Sequence, residues 1–595
     1  MGREMKAGFW IFYAILSALM CAVLELNKNT LLGWALFALL LVAFPVLFKL
    51  VALKSSGFVK FLFWICYLAL FAGILFLTWP PVKAVPASDA SKPASTGIIQ
   101  TDKGKVRGVL NSDGDVEIYA GIPYAKPPVG ELRWRAPQDP EPWDGVLECD
   151  SFAPMSMQVT NLPIYDSLVR IIGYHDYRIS LKDNYVPPVS EDSLYLNIWK
   201  PAGECHDLPV LVYIHGGSLQ TGQTWTSDYN GASFAKNGVI CVNMGYRLGV
   251  FGFLADEELL KEDGTTGNYG LLDQIKALQW VRDNIKAFGG DPDNVTIVGE
   301  SAGAVCVDAL CVSPLAKGLF RRAILESSTL ASVSPPHSYR PFDQAISSGK
   351  RLLEKYKCSS VEDLRKLSSK ALVGEMNSQH HVTVDGYVLP DSPYNLRKKG
   401  IHNEEALIHG FNDLESGPFI IFDRTTLKNY ESKVRSYFRD VADDVLDLYD
   451  ARTNEQAATY WAEIYGAVFF NYPHYCLNRL AAAEGIPVYE YLFTKKNKSL
   501  SSWHSGELRY AFHNVLEDSR LYDDKDRHVS DVMHAYWVNF AKTGDPNGEG
   551  LPVFEQNRGS DMVLELGDVI EMRHEPYIAF YEIMDEMQDF EPELL

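Results

Sequence analysis

The apolar and polar positions of this 595-residue chain divide it into two unequal parts. Three apolar runs, Ala7–Leu24, Leu31–Phe48 and Phe61–Trp79, are each 18 or 19 residues long and contain no charge. That is the length of helix needed to cross about 30 Å of hydrocarbon. Basic Arg3 and Lys6 ahead of the first run also suit a cleaved signal peptide, but such a peptide leaves two further full-length runs unexplained. Buried helices of a soluble core keep a polar stripe, and these runs have none. The pattern predicts three transmembrane helices within residues 1–79.

Lys and Arg set the expected orientation. Arg3, Lys6, Lys49, Lys54 and Lys60 fall on one side of the three runs, and Lys28, Lys83 and Lys92 on the other. Five against three places the amino terminus in the cytoplasm and everything after Trp79 outside it. Trp10 and Trp79 are either interfacial anchors or ordinary apolar span residues. Residues 80–96 (PPVKAVPASDASKPAST) are rich in Pro, Ala and Ser and lack periodicity, so they read as a tether.

From Gly97 the pattern changes to short buried runs separated by helical stretches. Val210–Ile214, Val239–Val242, Val295–Val298, Ala323–Leu325, Ala406–Ile408 and Val488–Leu492 read as strands. Leu271, Ile275, Leu278, Val281 and Ile285 share one face of an amphipathic helix. Strands alternating with helices predict an α/β domain over residues 97–595 with a mostly parallel sheet.

Charge excludes one class of partner. Residues 1–83 carry seven Lys/Arg and two acids, so the remaining 48 basic and 74 acidic residues leave a net charge of −26. Such a body repels phosphate backbones, and nucleic-acid binding is not expected. The nine cysteines form no CxxC pair and no zinc-like cluster, so neither a metal site nor a disulfide framework is predicted. Cys306 and Cys311 lie on one helix and face different directions.

The chemistry is carried by Gly299-Glu300-Ser301-Ala302-Gly303, directly after the run Val295–Val298. Chance alone yields on the order of 0.2 G-x-S-x-G matches in a chain like this, so position matters more than the motif. A strand, a sharp turn tolerated by two glycines and a following helix would lift the Ser301 hydroxyl above a sheet, as in an α/β-hydrolase. His215-Gly216-Gly217-Ser218 follows the strand Val210–Ile214, where this fold supplies oxyanion donors. Gly217, Ser218 and Ala302 are the expected N–H donors. Most of the 14 histidines lie downstream of Ser301, so spacing alone selects neither base nor acid.

Many segments in order resemble the type-B carboxylesterase and cholinesterase-like family. They include Tyr119-Ala120-Gly121-Ile122-Pro123-Tyr124-Ala125, Glu191-Asp192-Ser193-Leu194-Tyr195-Leu196-Asn197, Gly267-Asn268-Tyr269-Gly270-Leu271-Leu272-Asp273-Gln274, Phe288-Gly289-Gly290-Asp291-Pro292 and Thr543-Gly544-Asp545-Pro546-Asn547. The resemblance implies an α/β-hydrolase fold with helical insertions and a serine carboxylic-ester hydrolase working through an acyl-enzyme without a cofactor. It matches Gly410-Phe411-Asn412-Asp413-Leu414-Glu415 to the family's acid segment, selecting Glu415 with Asp413 as runner-up. His504-Ser505-Gly506-Glu507-Leu508 matches the base segment and selects His504. Ser327 is implied as a hydrogen-bond partner of the acid.

Three departures from the family stand out. Ser218 replaces the third glycine of the oxyanion segment, leaving the N–H but adding a side chain. Ser156 and Ser193 stand where the family's first disulfide normally has its two cysteines. The stretch between Ser156 and Ser190 lacks the Trp with which cholinesterases hold quaternary ammonium and has Tyr165, Tyr174, Tyr177 and Tyr185 instead. Trp225 and Tyr229 are either pocket-lining or structural. Neuroligin-like relatives keep the fold without the serine, which makes a silent binding protein the alternative; the presence of all three triad residues favours an enzyme acting on a small-molecule ester. An amidase or transacylase on the same triad stays open, as do the natural substrate and the oligomeric state.

Overall fold

A computed structural model describes residues 5–160, 162–171, 185–333, 339–376, 379–498, 501–515 and 521–588. Tyr174, Tyr177 and Arg3 lie outside them. The chain forms two units: residues 1–84 with 160–188, and residues 85–159 with 189–595.

In the smaller unit the three apolar runs are helices α1 (Ala7–Leu26), α2 (Leu31–Leu47) and α3 (Gly57–Leu77), each long and apolar enough to cross a membrane. Pro45 sits inside α2, and a π-helical turn over Phe48–Ala52 follows it. A proline withholds one helical N–H, and the widened turn accommodates that loss. Lys49 and Lys60 therefore lie on helical turns rather than in a loop, and only Leu53–Ser56 separates the π-helical turn from α3. Few polar groups join the helices. The Ser17 and Tyr67 hydroxyls meet at 3.0 Å, Tyr13 donates to the Leu41 carbonyl at 2.5 Å, and Asn29 Nδ2 donates to Leu75 O at 2.8 Å and Thr78 Oγ1 at 2.9 Å. Trp10 is 45% exposed, and Trp79 stacks on Phe76. The unit also holds helix α4 (Pro163–Ile171).

The larger unit is built on a mixed sheet. In chain order its strands are β1 (Ser95–Gln100), β2 (Lys105–Leu110), β3 (Val116–Pro123), β4 (Tyr195–Pro201), β5 (Leu208–Ile214), β6 (Ile240–Met244), β7 (Gly290–Glu300), β8 (Arg322–Glu326), β9 (Ala406–Asn412), β10 (Val488–Phe493), β11 (Met562–Leu566) and β12 (Ile570–His574). Across the sheet they run β12-β11-β10-β9-β8-β7-β5-β6-β4-β3-β2-β1, and a short strand, Val146–Glu148, pairs with β2. Neighbours from β6 through β5 to β11 pair in parallel. The flanks are antiparallel: β12 on one side, and β4 to β1 on the other.

The six strands read from sequence are six of the seven in the parallel core; the seventh, β11, is not among them. Val210, Val212 and Ile214 of β5 enter one hydrophobic core and Leu211 and Tyr213 the other, so both faces are covered and every position is apolar. The antiparallel flanks escaped the sequence reading because Gly and charged residues interrupt them, as in Lys105-Val106-Arg107-Gly108. The predicted amphipathic helix is α5 (Tyr269–Asn284).

The segment 80–96, expected as a featureless tether, is ordered by hydrogen bonds. In the smaller unit the Lys83 N–H donates to Val186 O at 3.0 Å. In the larger one, Val85–Pro86 pairs with Ser151–Phe152, Ala87 N–H donates to Asp150 O at 2.9 Å, Ser88 donates to Leu110 O at 2.6 Å, and β1 already begins at Ser95. Small residues let extended backbone lie close against a sheet, which composition alone does not reveal.

Candidate active site

Ser301 occupies the single-residue turn between β7 and helix α6 (Ala302–Val312), at φ 57° and ψ −126°. A non-glycine residue at positive φ is strained, and the surrounding structure must hold it there. Two features do so. The Ser301 N–H donates to Glu326 O at 2.8 Å, and its carbonyl accepts from Val305 N–H at 3.0 Å. The flanking glycines have no room for a side chain: a Cβ on Gly299 would lie 2.3 Å from the Gly303 carbonyl carbon, and one on Gly303 would lie 2.0 Å from Ile214 O. The turn is closed against the end of β5, where the oxyanion segment starts.

That segment leaves β5 at Ile214 and turns through Gly217, Ser218 and Leu219, at φ 106°, 57° and 58°. A Cβ on Gly216 would lie 3.0 Å from Ser301 Cβ, so the loop backbone runs directly beside the serine. Among the described residues, no protein acceptor takes the N–H of Gly217, Ser218 or Ala302. His215 is buried with Nδ1 2.9 Å from Gly216 O, and burial lowers its pKa to about 4, so it stays neutral and structural.

Glu415 follows β9 and is buried, its Oε1 accepting from Asn412 N–H at 2.7 Å and its Oε2 lying 2.6 Å from His504 Nδ1. Asp413, the runner-up, instead accepts from the Tyr577 hydroxyl at 3.3 Å. Backbone holds the two segments together: Leu414 N–H donates to Ser502 O at 3.2 Å, and Asn412 Nδ2 to Trp503 O at 2.9 Å. His504 is itself buried. Its Nε2 has no hydrogen-bond partner among the described residues and lies 3.3 Å from Oε1 of Glu300, the residue before Ser301. Burial pulls the imidazole pKa down, but the nearby charges of Glu300 and Glu415 and the Glu415 hydrogen bond outweigh it and raise the pKa to about 9.

Ser327 departs from expectation. Its hydroxyl donates to Glu507 Oε1 at 3.1 Å rather than to Glu415. Glu507 also accepts from Asn412 Nδ2 at 2.5 Å, and its pKa is raised to about 8, first by burial and then by the charges of Glu300 and Glu415. Glu326, held by Trp537 Nε1 at 2.7 Å, is likewise raised by burial and by Glu507. A buried carboxyl cluster therefore lies behind the histidine, with Glu507 and Glu326 raised above the ordinary carboxylate range by burial and by neighbouring carboxylates. Sequence could not show that Glu326, Glu507 and Glu300 converge, because they are brought together across up to about 200 residues of chain.

Two aromatic rings complete the surroundings. Phe419 and Phe470 lie 5.1 and 4.7 Å from the His504 ring, and Phe419 is 44% exposed. Neither residue was distinguishable in sequence from ordinary packing. Trp225 stacks on Phe152, and Tyr229 is buried against Tyr213 and donates to Gln223 O. Ser156 and Ser193 are buried and hydrogen-bonded to each other at 3.0 Å. All nine cysteines carry free thiols. Among the described residues no His, Cys, Asp and Glu gather in a metal-binding group.

The model of the carboxylesterase family matches residues 95–582. The para-nitrobenzyl esterase of Bacillus subtilis (strain 168) is 32% identical over 494 residues, covering 80% of this chain and 96% of its own. Carboxylesterase 1C of Rattus norvegicus is 31% identical over 528 residues, covering 82% and 93%. The crystal structure of the Geobacillus stearothermophilus carboxylesterase EST55 superposes with a TM-score of 0.70 at 31% identity, over 82% of this chain and 99% of that one. This agreement in sequence and fold makes the chain a member of the carboxylesterase family and a carboxylic ester hydrolase.

Proposed function

We propose that the enzyme hydrolyses esters through Ser301, His504 and Glu415 and an acyl-enzyme intermediate. The observation that carries this reading is the His504 imidazole: Glu415 holds its Nδ1 at 2.6 Å, and its Nε2 is buried without a hydrogen-bond partner among the described residues, 3.3 Å from the carboxylate of Glu300, the residue before Ser301. In the neutral tautomer fixed by Glu415, Nε2 is the acceptor that takes the Ser301 proton as the oxygen attacks the ester carbonyl. The imidazolium then returns that proton to the departing alcohol. The N–H groups of Gly217, Ser218 and Ala302, which find no protein acceptor among the described residues, are the donors for the developing oxyanion in this reading, each worth about 3–4 kcal/mol in comparable sites. Water deacylates the serine by the same steps in reverse. The reaction draws on protein groups alone. A fluorophosphonate should label the wild-type protein at Ser301 and leave Ser301→Ala unlabelled; equal labelling of both would sink the assignment.

The same reading makes this a membrane-anchored enzyme. Helices α1–α3 span the bilayer with the amino terminus in the cytoplasm, and the hydrolase domain faces away from it. The support is the length and apolarity of the three helices and the bias of Lys and Arg between their ends. Protease added to intact cells should release the hydrolase domain; complete protection would reverse the orientation.

A further inference from the structure

Helix α4 belongs to the same unit as the three apolar helices, although about eighty residues of chain separate it from α3. Its attachment to that unit is specific. Ser167 is fully buried, and its hydroxyl donates at 2.7 Å to the carbonyl of Leu26, the last residue of α1. The last carbonyls of a helix have no partner within it, so this bond fills a vacancy at the end of the span. The return of the same segment is fixed at the same end of the bundle. Val186 N–H donates to Pro81 O at 2.9 Å and Val186 O accepts from Lys83 N–H at 3.0 Å, just beyond the end of α3. Asn29, in the turn after α1, bonds Leu75 of α3 and Thr78 just after it, so the ends of α1 and α3 lie together.

Among the described side chains, Leu162 at the start of α4 and Tyr165 and Leu168 within it recur every three residues and are 58%, 56% and 48% exposed. At 100° per residue they centre roughly 160° from Ser167, so the face they form points away from the bundle contact. A twenty-residue helix is about 30 Å long and ends at the edge of the hydrocarbon, which sets the depth of Leu26 and therefore of Ser167. An apolar helical face with a central tyrosine at that depth matches the boundary between headgroups and acyl chains.

We infer that α4 is an interfacial helix whose Leu162, Tyr165 and Leu168 dock into the lipid surface on the side where α1 and α3 end. The inference rests on the reading of α1–α3 as membrane spans. It gives the chain a fourth lipid contact, at the surface of the bilayer rather than across it, and it assigns a role to a helix that holds none of Ser301, His504 and Glu415.

The test uses the full chain reconstituted in phosphatidylcholine/phosphatidylglycerol vesicles with tritiated acyl chains. Photoreactive benzoylphenylalanine replaces one residue at a time: Tyr165; Leu39, 67% exposed on α2; or Val553, 66% exposed in the hydrolase unit. Illumination should transfer tritium to the Tyr165 and Leu39 variants severalfold more than to the Val553 variant, with hydrolysis of a soluble aryl ester equal in all three. Labelling at Leu39 with only the Val553 background at Tyr165 would overturn the interfacial helix and leave the spans standing. Background at Leu39 as well would overturn both. Crosslinking of Tyr165 to a second protein chain, seen as a doubled mass, would also overturn it in favour of a protein contact.

Discussion

The imidazole Nδ1 of His504 lies 2.6 Å from Glu415 Oε2, and the opposite nitrogen of the same ring lies 3.3 Å from Glu300 Oε1. One histidine is thus set between two carboxylates with different tasks. Glu415 fixes the tautomer, and Glu300 raises the charge that the ring tolerates. Replacing Glu415 by Gln keeps the shape but offers an amide that can hold the wrong tautomer. We expect kcat for an aryl ester to fall by about 10⁴-fold with KM nearly unchanged, as for the acid of comparable triads. Steady-state kinetics check this; a loss under tenfold would mean that another group orients the ring.

The pH profile follows from the same geometry. Only the neutral imidazole accepts the serine proton, so kcat/KM should rise with pH through an apparent pKa above the ordinary 6.5 and toward about 9. Removing the nearby negative charge in Glu300→Gln should move that midpoint down. The linked effect on stability has the opposite direction along the pH axis. The folded-state pKa of His504 is raised, so its stabilising contribution is complete below 6.5 and is lost as pH rises through about 9. Alkaline activation accompanied by a falling Tm is the expected signature. An activity midpoint at or below 6.5 in the wild type would contradict the placement of these carboxylates.

Strain at the serine turn makes a sharper prediction. In Gly303→Ala the new Cβ would lie 2.0 Å from Ile214 O, and backbone cannot yield as the end of a side chain can. The substitution should cost about 3 kcal/mol or more and abolish fluorophosphonate labelling. Gly466→Ala is the control: its Cβ would meet nothing closer than 3.7 Å, the nearest atom being Glu415 Cβ. Thermal denaturation with labelling should show a large loss in the first variant and little change in the second.

Much of this architecture is legible in the sequence, and what is not has physical causes. Six of the parallel strands are visible because they are buried on both faces, which makes runs such as Val210–Ile214 continuously apolar, whereas β11 carries Glu565 and is not. Ser301 is visible because its turn admits only glycine two residues before it and two after, at Gly299 and Gly303. The flanking antiparallel strands mix Gly and charge with apolar residues, so neither period nor composition marks them. Ser327 was assigned to Glu415 by resemblance, yet its hydroxyl goes to Glu507, 180 residues away in the chain. Which carboxylate a buried hydroxyl meets depends on tertiary approach within an ångström or two, and local sequence holds no record of that. The grouping of Thr160–Pro188 with the apolar helices is likewise a product of long-range packing.

The last prediction concerns the two serines that stand in place of a disulfide. Ser156 and Ser193 are buried, their hydroxyls 3.0 Å apart, and Ser156 also donates to Tyr246 O at 2.7 Å. The adjoining backbone is paired in a short ladder, Met155 with Val189 and Ser156 with Ser190, which holds the two positions close together. The side chains that would form the bridge are therefore already in contact, and the double variant Ser156→Cys, Ser193→Cys should oxidise without moving the backbone. Closing a loop of 37 residues in the unfolded chain should stabilise the protein by about 3–4 kcal/mol, less whatever the two lost hydroxyl bonds contributed. Hydrolysis should be unchanged, because neither serine touches Ser301, His504 or Glu415. Thiol titration and Tm with and without reductant decide the matter: two fewer titratable thiols and a reductant-sensitive rise in Tm are expected, whereas two extra free thiols under oxidising conditions would show that the segments are not held at this separation.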